Sequence, residues 1–402
     1  MIYRKNKKNG EELSQLGFGC MRFPRKGIGI DIAKSADIVH ASIERGVNYF
    51  DTAYIYSGSE ETLGKILKGG WREKINISTK MPLFLIRSVK DFDKFFDEQL
   101  NRLQTDYIDY YLLHSLFDFD YYDKLRSLGI NEWLQKEKER GRICNIGFSF
   151  HGKSDEFTKI IDAHDWELCM IQYNYLDEYY QAGVAGLKYA HSKDIPVVVM
   201  EPLRGGTLAV KLPNAAMREL EAVDAALGLQ GRTPAGWALR WLWNQPEVTL
   251  ALVGMNSAEQ AFENIAAANE AEVGMMSETE LEAIKKVTQI MRANILIHCT
   301  GCNYCLPCPA GIDIPSVFSR YNETGLSGKS SAYIHHIAAA GIIPKSTQFI
   351  SQCDKCGKCE KVCPQHIKII DELTNAAKVL EPRWAKMVGR IARKVYHGKI
   401  RR

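Results

Sequence analysis

The stretch that decides the fold runs from Val47 to Gly58 and reads VNYFDTAYIYSG. Its first four residues, up to Phe50, have the composition of a short buried strand. Asp51 follows where that strand would end, and Tyr56 lies in the loop beyond it. A carboxylate and a phenol placed in this way at a strand end are candidates for a catalytic site.

Two further polar residues end apolar runs in the same way. Lys80 follows the run INIST, and His114 follows the run YIDYYLL. The carboxyl ends of parallel strands in one barrel meet on a single face, where barrel enzymes carry their catalytic groups. We therefore expect the side chains of Asp51, Tyr56, Lys80 and His114 to converge.

Apolar strand candidates alternate with amphipathic helical patterns over the first three quarters of the chain. The strand candidates are Leu16–Cys20, Val47–Phe50, Ile75–Thr79, Tyr107–Leu113, Ile143–Phe148, Leu168–Gln172, Ile195–Val199 and Val248–Val253. The helical patterns are Asp31–Arg45, Glu60–Lys68, Val89–Leu103, Asn131–Arg140, Ser154–His164, Gln181–Ser192, Ala215–Gln245 with a break at Thr233-Pro234, and Ala258–Asn269. Eight such pairs predict a (β/α)8 TIM barrel. A doubly wound sheet is the alternative, but no GxGxxG motif follows the first strand.

The chain is predicted to divide into a barrel over residues 1–292, an iron–sulfur module over residues 293–375 and a basic helix or tail over residues 376–402. A helix over Glu278–Asn294 would lead out of the barrel. The segments Ile314–Tyr321 and Ala332–Ala340 carry helical patterns, which predicts a small, mainly α-helical ferredoxin-like module.

Eleven cysteines without a signal-peptide pattern indicate metal ligation and not a disulfide scaffold. Eight of them form two runs, CxxCxxCxxCP and CxxCxxCxxxCP, which predict two [4Fe–4S] clusters. The candidate ligands are Cys299, Cys302, Cys305 and Cys308 in the first run and Cys353, Cys356, Cys359 and Cys363 in the second. Structural zinc is the alternative, but such sites usually use separated CxxC pairs.

The fourth cysteine of each run in a two-cluster ferredoxin serves the other cluster. Cys363 is therefore assigned to the cluster of the first run, and Cys308 to the cluster of the second. The first run is one residue short before Cys308, which makes that ligand the weaker of the two. Cys20, Cys144 and Cys169 lie in strand candidates and are expected to be core residues.

Composition and charge exclude several classes of protein. The net charge of +4 is uneven, because residues 381–402 carry eight basic residues against one acidic residue. That tail has a net charge of +7, and the rest of the chain is mildly acidic at −3. No nucleic-acid-binding character runs through the sequence, and no apolar run reaches the roughly 20 residues of a membrane span. The N-terminus has no signal-peptide pattern, so we expect a cytoplasmic protein.

The four polar residues at the strand ends suit carbonyl chemistry. Lys80 could pair with Asp51, stay charged when buried, and favour the tyrosinate form of Tyr56. A phenol tuned in this way can give a proton to a carbonyl oxygen as hydride reaches the carbon. Any one of these residues alone would more often be a hydrogen-bonded polar residue of the core. Four of them together favour a catalytic site.

These motifs resemble those of the aldo-keto reductases. The resemblance covers roughly residues 1–270 and rests on GFGCMR at 17–22, FDTA at 50–53 with Tyr56, STK at 78–80, LLH at 112–114 and IGFS at 146–149. It implies that Asp51, Tyr56, Lys80 and His114 are the catalytic tetrad, with Tyr56 as general acid. It also implies a small carbonyl or alcohol substrate and a nicotinamide cofactor.

The resemblance extends to the cofactor groove. Ser149 and Gln172 stand where the family binds the nicotinamide amide, and Met200 stands where it often has a stacking aromatic residue. Arg204 and Gly205, in the segment PLRGG, resemble the pyrophosphate loop.

The segment that would hold the adenosine end of the cofactor contains Ser257, Gln260, Glu263 and Asn264. The last three share one helical face, although Ser257 with Gln260 is also an ordinary capping box. NADP-binding members of the family usually have Lys or Arg at the positions of Gly254 and Gln260. Neither is basic here, so both NADPH and NADH stay open as cofactors.

The whole chain resembles the aldo-keto reductases that carry a C-terminal ferredoxin-type domain. The first hypothesis is a reductase whose two clusters exchange electrons with a carrier such as ferredoxin or flavodoxin. Because hydride carries two electrons and each cluster one, coupling calls for a flavin, a radical step or sequential discharge of both clusters; no flavin motif stands out. The alternatives are an electron-transfer or nicotinamide-sensing subunit, and clusters that are purely structural.

Overall fold

The computed structural model describes residues 1–27, 29–209, 212–229, 231–326, 332–333, 336, 349–384 and 387–388. These residues belong to two compact units. The first unit comprises Met1–Leu203 and Arg232–Leu281, and the second comprises Arg204–Gly231 and Glu282–Arg402. Each unit is described by itself below.

Twelve strands occur in the described residues. They are β1 Tyr3–Lys5, β2 Glu12–Ser14, β3 Leu16–Gly19, β4 Arg25–Lys26, β5 Gly29–Ile30, β6 Tyr49–Asp51, β7 Asn76–Met81, β8 Ile108–Leu116, β9 Ile143–Phe150, β10 Leu168–Gln172, β11 Val197–Met200 and β12 Leu250–Val253. Eight of them close a parallel barrel in the order β10-β11-β12-β3-β6-β7-β8-β9. The predicted TIM barrel is therefore confirmed. The pairs β1–β2 and β4–β5 form two short antiparallel sheets outside it.

The helices of the first unit follow the barrel strands as predicted. They are α1 Ile32–Glu44, α2 Ser59–Ile66, α3 Lys90–Leu103, α4 Phe119–Ser127, α5 Ile130–Glu139, α6 Ser154–Asp162, α7 Gly183–Ser192, α9 Pro234–Trp243 and α10 Ala258–Glu270. Helix α8, Asn214–Ala226, belongs to the second unit, and α11, Glu278–Asn294, begins in the first unit and ends in the second. The predicted break at Thr233-Pro234 separates α8 from α9, because the hydroxyl of Thr233 caps α9 and Pro234 occupies its first turn.

Several boundaries and one element differ from the sequence prediction. The strands continue through their terminal polar residues, so Asp51, Lys80 and His114 lie within β6, β7 and β8. Backbone pairing causes this extension, since it does not depend on whether a side chain is apolar. Helix α4, which the sequence patterns do not predict, contains part of the aromatic run 117–122 and is capped by Asp118. Cys144 is exposed and not a core residue, because its position near the amino end of β9 faces outward.

Two apolar layers fill the barrel unit. Side chains inside the barrel form one cluster, made of Leu13, Tyr49, Tyr110, Leu112, Leu168, Met170, Val198 and Leu250. A larger cluster lies between the strands and the surrounding helices. Because the barrel interior is filled, as in other proteins of this architecture, the space for a ligand is at the carboxyl ends of the strands.

The second unit contains the cysteine runs. Besides α8, its helices are α12 Ile314–Leu326, α13 Lys358–Lys361 and α14 Ile369–Leu380. Its apolar core includes Val317, Phe318 and Leu373. Six of the eight cysteines in the two runs pack against this core. The carboxylate of Glu381 accepts hydrogen bonds from the backbone N–H groups of Ile350, at 2.5 Å, and Ser351, which anchors the segment before the second cysteine run.

Some predicted features lie outside the described residues. They include most of the helical pattern Ala332–Ala340 and the basic tail beyond Val388. No helix among the described residues is long and apolar enough to cross a membrane.

Candidate active site and cysteine module

The predicted tetrad occupies neighbouring strands at one end of the barrel. Asp51 is the last residue of β6 and pairs in register with Ser78 of β7, two residues before Lys80. His114 lies in β8, the next strand, and Tyr56 lies in the turn between β6 and α2. The structure thus brings together all four residues that the spacing indicated.

Lys80 and Asp51 form a buried ion pair. The Nζ atom of Lys80 lies 2.5 Å from Oδ1 of Asp51 and also donates to the backbone carbonyl of Thr52 at 2.7 Å. Both side chains are almost fully buried, with 2% and 3% of their area exposed. Burial raises the pKa of Asp51, and the ammonium charge of Lys80 opposes that rise. Two hydrogen bonds and a paired charge thus hold the ammonium in one position.

The rings of Tyr56 and His114 lie next to this pair. The Nζ atom of Lys80 is 5.1 Å from the centroid of the Tyr56 ring. The Tyr56 and His114 rings meet edge to face, with their centroids 6.2 Å apart. Burial, followed by the charge of Lys80, lowers the pKa of His114 well below its usual range. His114 is therefore neutral at physiological pH, and a neutral imidazole carries one N–H donor.

His151 is a site residue that the sequence interpretation missed. It follows directly after β9, and its backbone N–H donates to the carbonyl of Leu116 at the end of β8. Gly152 allows this approach, because a Cβ there would lie 1.8 Å from the carbonyl oxygen of Phe117. His151 is buried, and its charge would lower the pKa of His114. Its place directly after a strand is the signal that could have revealed it.

A buried polar network fixes the backbone behind Lys80. Gln99 of α3 donates to the carbonyl oxygen of Lys80 at 3.1 Å and to the carboxylate of Glu60 at 2.7 Å. The hydroxyl of Thr79 donates to the same carboxylate oxygen at 2.7 Å. Arg102 pairs with the second oxygen of Glu60 at 3.1 Å. The network ties α2 and α3 to β7, so that the strand bearing Lys80 has little freedom to move.

The residues expected at the nicotinamide lie on the next three strands. Ser149 is in β9, while Gln172 and Met200 end β10 and β11 and pair in register. The Ser149 hydroxyl accepts a hydrogen bond from the backbone N–H of Ser115, next to His114. Gln172 Nε2 donates to the carboxylate of Asp177 at 3.0 Å, which orients the amide. Neighbouring strand ends thus present a hydroxyl, an oriented amide and a thioether.

A turn after β10 supports that amide. Asn174 accepts hydrogen bonds from the backbone N–H groups of Leu176 and Asp177. Its own Nδ2 donates to the carboxylate of Asp177 at 3.1 Å and to the carbonyl of Glu201. Asn174 and Asp177 therefore act as positioning residues for Gln172; sequence reasoning did not identify them.

The start of α10 has the geometry of a capped helix. The Ser257 hydroxyl accepts from the backbone N–H of Gln260, and Oε1 of Gln260 accepts from the backbone N–H of Asn256 at 3.0 Å. Glu263 is exposed, whereas Asn264 is buried. The side chain of Gln260 is thus engaged by the cap, and no basic residue replaces it on this face.

Arg22 and Gly254 meet beside that helix start. A Cβ on Gly254 would lie 3.0 Å from Cδ of Arg22 and 3.2 Å from its Cβ and Cγ. Among the residues that the structure describes, the buried Nη2 atom of Arg22 has no hydrogen-bond partner. An orphaned guanidinium nitrogen fits an anionic group such as a cofactor phosphate.

Arg204 and Gly205 lie in the second unit. Nη2 of Arg204 is 2.6 Å from Nδ1 of His298, and the Arg204 side chain is buried. Gly205 has φ +64, and a Cβ there would lie 2.0 Å from the carbonyl oxygen of Thr300. Glycine is therefore required at position 205 both by the backbone conformation and by this close approach. Within this unit the predicted pyrophosphate loop packs against residues that flank Cys299.

Thiols from the two cysteine runs lie close to one another. Burial raises the pKa of Cys305, and the neighbouring thiols of Cys302, Cys299 and Cys363 raise it further. Burial likewise raises the pKa of Cys359 to about 11, with Cys308 among the groups that add to the rise. The fourth cysteine of each run thus lies near the other run. Four thiols in each group fit the donor set of a [4Fe–4S] cluster.

The second group also lines a cavity. Its lining residues include Cys308, Cys353, Cys356 and Cys359. No three His, Cys, Asp or Glu side chains in the described part of the chain could hold a single metal ion. In a [4Fe–4S] cluster each cysteine binds a different iron atom, so the ligands do not converge on one point. This finding therefore concerns sites for a single metal ion.

Two family models match the chain. The model of the aldo/keto reductase family matches residues 15–288. The model of a 4Fe-4S dicluster domain matches residues 298–368. The matched regions correspond to the barrel strands and to the two cysteine runs.

Individual relatives agree with these matches. The L-galactose dehydrogenase of Arabidopsis thaliana is 31% identical over 299 residues, covering 68% of this chain and 91% of the relative. A holo-form aldo-keto reductase from Bacillus halodurans gives a TM-score of 0.57 at 27% identity, covering 71% of this chain and 96% of that chain. An aldo/keto reductase from Klebsiella pneumoniae, solved with NADP and acetate, gives 0.58 at 21% identity, covering 71% and 94%. The last likeness concerns the fold alone.

Proposed function

Because the chain belongs to the aldo/keto reductase family and carries a 4Fe-4S domain, we propose that it is an NAD(P)-dependent oxidoreductase acting on a small carbonyl or alcohol substrate. Tyr56 is the general acid of this reaction, and two clusters exchange electrons with an outside carrier. The observation that carries the proposal is the buried Lys80–Asp51 pair beside the rings of Tyr56 and His114.

The chain's own residues handle the proton and the carbonyl oxygen. A bound NAD(P)H supplies the hydride, and bound [4Fe–4S] clusters supply one-electron transfer. Tyr56 gives its phenolic proton to the carbonyl oxygen, and the ammonium of Lys80 stabilises the tyrosinate that is left. The neutral His114 donates its N–H to the same oxygen and so orients the carbonyl. In the oxidative direction Tyr56 accepts the proton of the alcohol.

Asp51 and the network behind Lys80 act by positioning. Asp51 balances the lysine charge, because a buried charge without a partner is costly. Gln99 and Glu60 hold the strand, so the ammonium stays at a fixed distance from the Tyr56 ring. Ser149 and the Asp177-oriented amide of Gln172 offer polar groups to the nicotinamide carboxamide, with Met200 beside them.

The reaction is tested with Tyr56→Phe and a matched control, Tyr54→Phe. Tyr54 lies two residues away and its hydroxyl donates to Glu98, outside the tetrad. Wild type and both variants are assayed without oxygen for NAD(P)H oxidation by aldoses, short aldehydes and ketones. Of these two tyrosines, Tyr56 is the one whose phenol can give a proton beside Lys80. The kcat of Tyr56→Phe should therefore fall about 100-fold or more, while its affinity for the cofactor is kept. Unchanged kcat in that variant would remove Tyr56 from the mechanism.

The clusters serve as an electron port in this proposal. Two one-electron centres match the two electrons of a hydride in number, and a flavin, a radical step or sequential discharge would link them. The basic tail, most of which lies outside the described residues, is proposed as a docking site for an acidic carrier such as ferredoxin or flavodoxin. Docking predicts that electron transfer from reduced ferredoxin slows steeply with salt, and that a chain without residues 386–402 is slower yet retains its clusters. An equal rate and salt dependence in the shortened chain would refute docking.

A second candidate is an electron-transfer or nicotinamide-sensing subunit with little carbonyl chemistry. It is favoured by the cysteine module, which a simple carbonyl reductase does not need. The two candidates differ in one observable. A sensing subunit would bind NAD(P)H but would reduce none of the carbonyl compounds in the panel.

A further inference from the structure

The structure places an arginine where the adenosine end of a nicotinamide cofactor is expected, although the basic residues usual for NADP are missing there. Arg22 lies in the 3-10 helix Cys20–Arg22, directly after β3. β3 pairs with β12, and the pair Phe18–Val253 brings Arg22 and Gly254 to the same end of the barrel. Gly254 leads into the capped start of α10 at Ser257.

The absence of a side chain at position 254 makes room for the stem of Arg22. A Cβ on Gly254 would lie 3.0 Å from Cδ of Arg22, closer than nearly all real contacts of a Cβ. Glycine at this position therefore lets the methylene groups of Arg22 lie against the backbone of the loop. A side chain at position 254 would require the stem of Arg22 to shift by a few tenths of an ångström.

The guanidinium of Arg22 carries a donor that the described residues do not satisfy. Nη2 of Arg22 is buried, and no described residue accepts a hydrogen bond from it. A buried N–H without an acceptor costs stability, so it is expected where a ligand supplies the acceptor. Arginine binds phosphate through two parallel N–H donors, which a lysine cannot match. Gln260 carries no charge, so it cannot supply the charge-assisted hydrogen bond of a basic residue, and its side-chain oxygen accepts from the backbone N–H of Asn256.

We propose that Arg22 binds a phosphate group of the nicotinamide cofactor and replaces, from the neighbouring strand, the basic residues that are absent at positions 254 and 260. The inference rests on the proposed nicotinamide dependence. The phosphate is the 2′-phosphate of NADP or the diphosphate shared by NADP and NAD. These two sources predict different selectivity, so binding measurements separate them.

The test measures equilibrium binding of NADP⁺, NAD⁺ and 2′,5′-ADP to the cluster-loaded protein by anaerobic calorimetry. Arg22→Gln should weaken NADP⁺ binding by about ten- to a hundredfold, the value of a charge-assisted hydrogen bond. If Arg22→Gln binds NADP⁺ and 2′,5′-ADP more weakly but binds NAD⁺ as before, Arg22 contacts the 2′-phosphate. If its affinity for NADP⁺ and for NAD⁺ falls equally, Arg22 contacts the diphosphate. Arg25→Gln, in the nearby strand β4 and with an exposed side chain, is the matched control.

Two further variants separate ligand binding from a structural role. Arg22→Lys keeps the charge and should retain part of the affinity. Gly254→Ala keeps the arginine and displaces its stem, so it should weaken the same ligands as Arg22→Gln while the melting temperature stays within a few degrees. Wild-type affinity for all three ligands in Arg22→Gln would overturn the inference and leave the proposed function standing. A wild-type protein that binds none of the ligands would overturn both.

Discussion

The ammonium nitrogen of Lys80 lies 2.5 Å from the carboxylate of Asp51, and both side chains are shielded from solvent. Each charge is tolerated at this depth because the other is present. The pair also places a fixed positive charge 5.1 Å from the centroid of the Tyr56 ring. In the proposed mechanism, stability and catalysis therefore depend on the same contact, and substitutions can separate them.

Removing the lysine should cost both stability and activity. Lys80→Met leaves the Asp51 carboxylate buried and unpaired, with an expected loss of about 3–5 kcal/mol in the free energy of unfolding. Urea denaturation followed by tryptophan fluorescence reports on the barrel, since six of the seven tryptophans lie in the first unit. The double variant Lys80→Met with Asp51→Asn should recover most of the stability and none of the activity. A single variant as stable as wild type at neutral pH would contradict this account of the pair.

The buried His114 should make barrel stability depend on pH. Burial and the charge of Lys80 depress its folded pKa below the usual 6.5, so the unfolded chain binds the proton more readily. The stabilising contribution is complete above about pH 6.5 and is lost as the pH falls, with a slope of up to about 1.4 kcal/mol per pH unit. His114→Asn should remove that part of the slope, whereas His191→Asn, in α7, should keep it. Equal slopes in wild type and His114→Asn would show that the pKa of His114 is the same in the folded and unfolded protein, which would contradict the depression described here.

The sequence predicted the barrel and the four converging side chains because both depend on local pattern. Alternating apolar runs identify strands, and a polar residue at each strand end identifies the face where they meet. Contacts that depend on the conformation of a loop leave no such pattern. The approach of Arg22 to Gly254 and the support of Gln172 by Asp177 depend on loop conformations, which spacing does not reveal. His151 had the same local signal as the tetrad and was overlooked.

The iron content should reveal whether Cys308 is a ligand. Two complete clusters predict about eight iron atoms and eight acid-labile sulfides per chain after anaerobic purification. Cys308→Ala should lower both values, since its group would keep only three thiolates, while Cys144→Ala outside the runs should leave them unchanged. Full iron and sulfide in Cys308→Ala would exclude this residue as a ligand. Stoichiometric zinc without sulfide in wild type would end the iron–sulfur assignment.

The most direct test of the proposed reaction follows the hydrogen atom itself. NAD(P)H labelled with deuterium at the transferred position is mixed anaerobically with the cluster-loaded protein and a carbonyl from the panel that wild type reduces. Direct hydride transfer beside Tyr56 predicts one deuterium on the former carbonyl carbon for each cofactor oxidised, as measured by mass spectrometry. Oxidised cofactor together with unlabelled alcohol would mean that the electrons travelled by another route, and would contradict the assignment of the tetrad as the site of reduction.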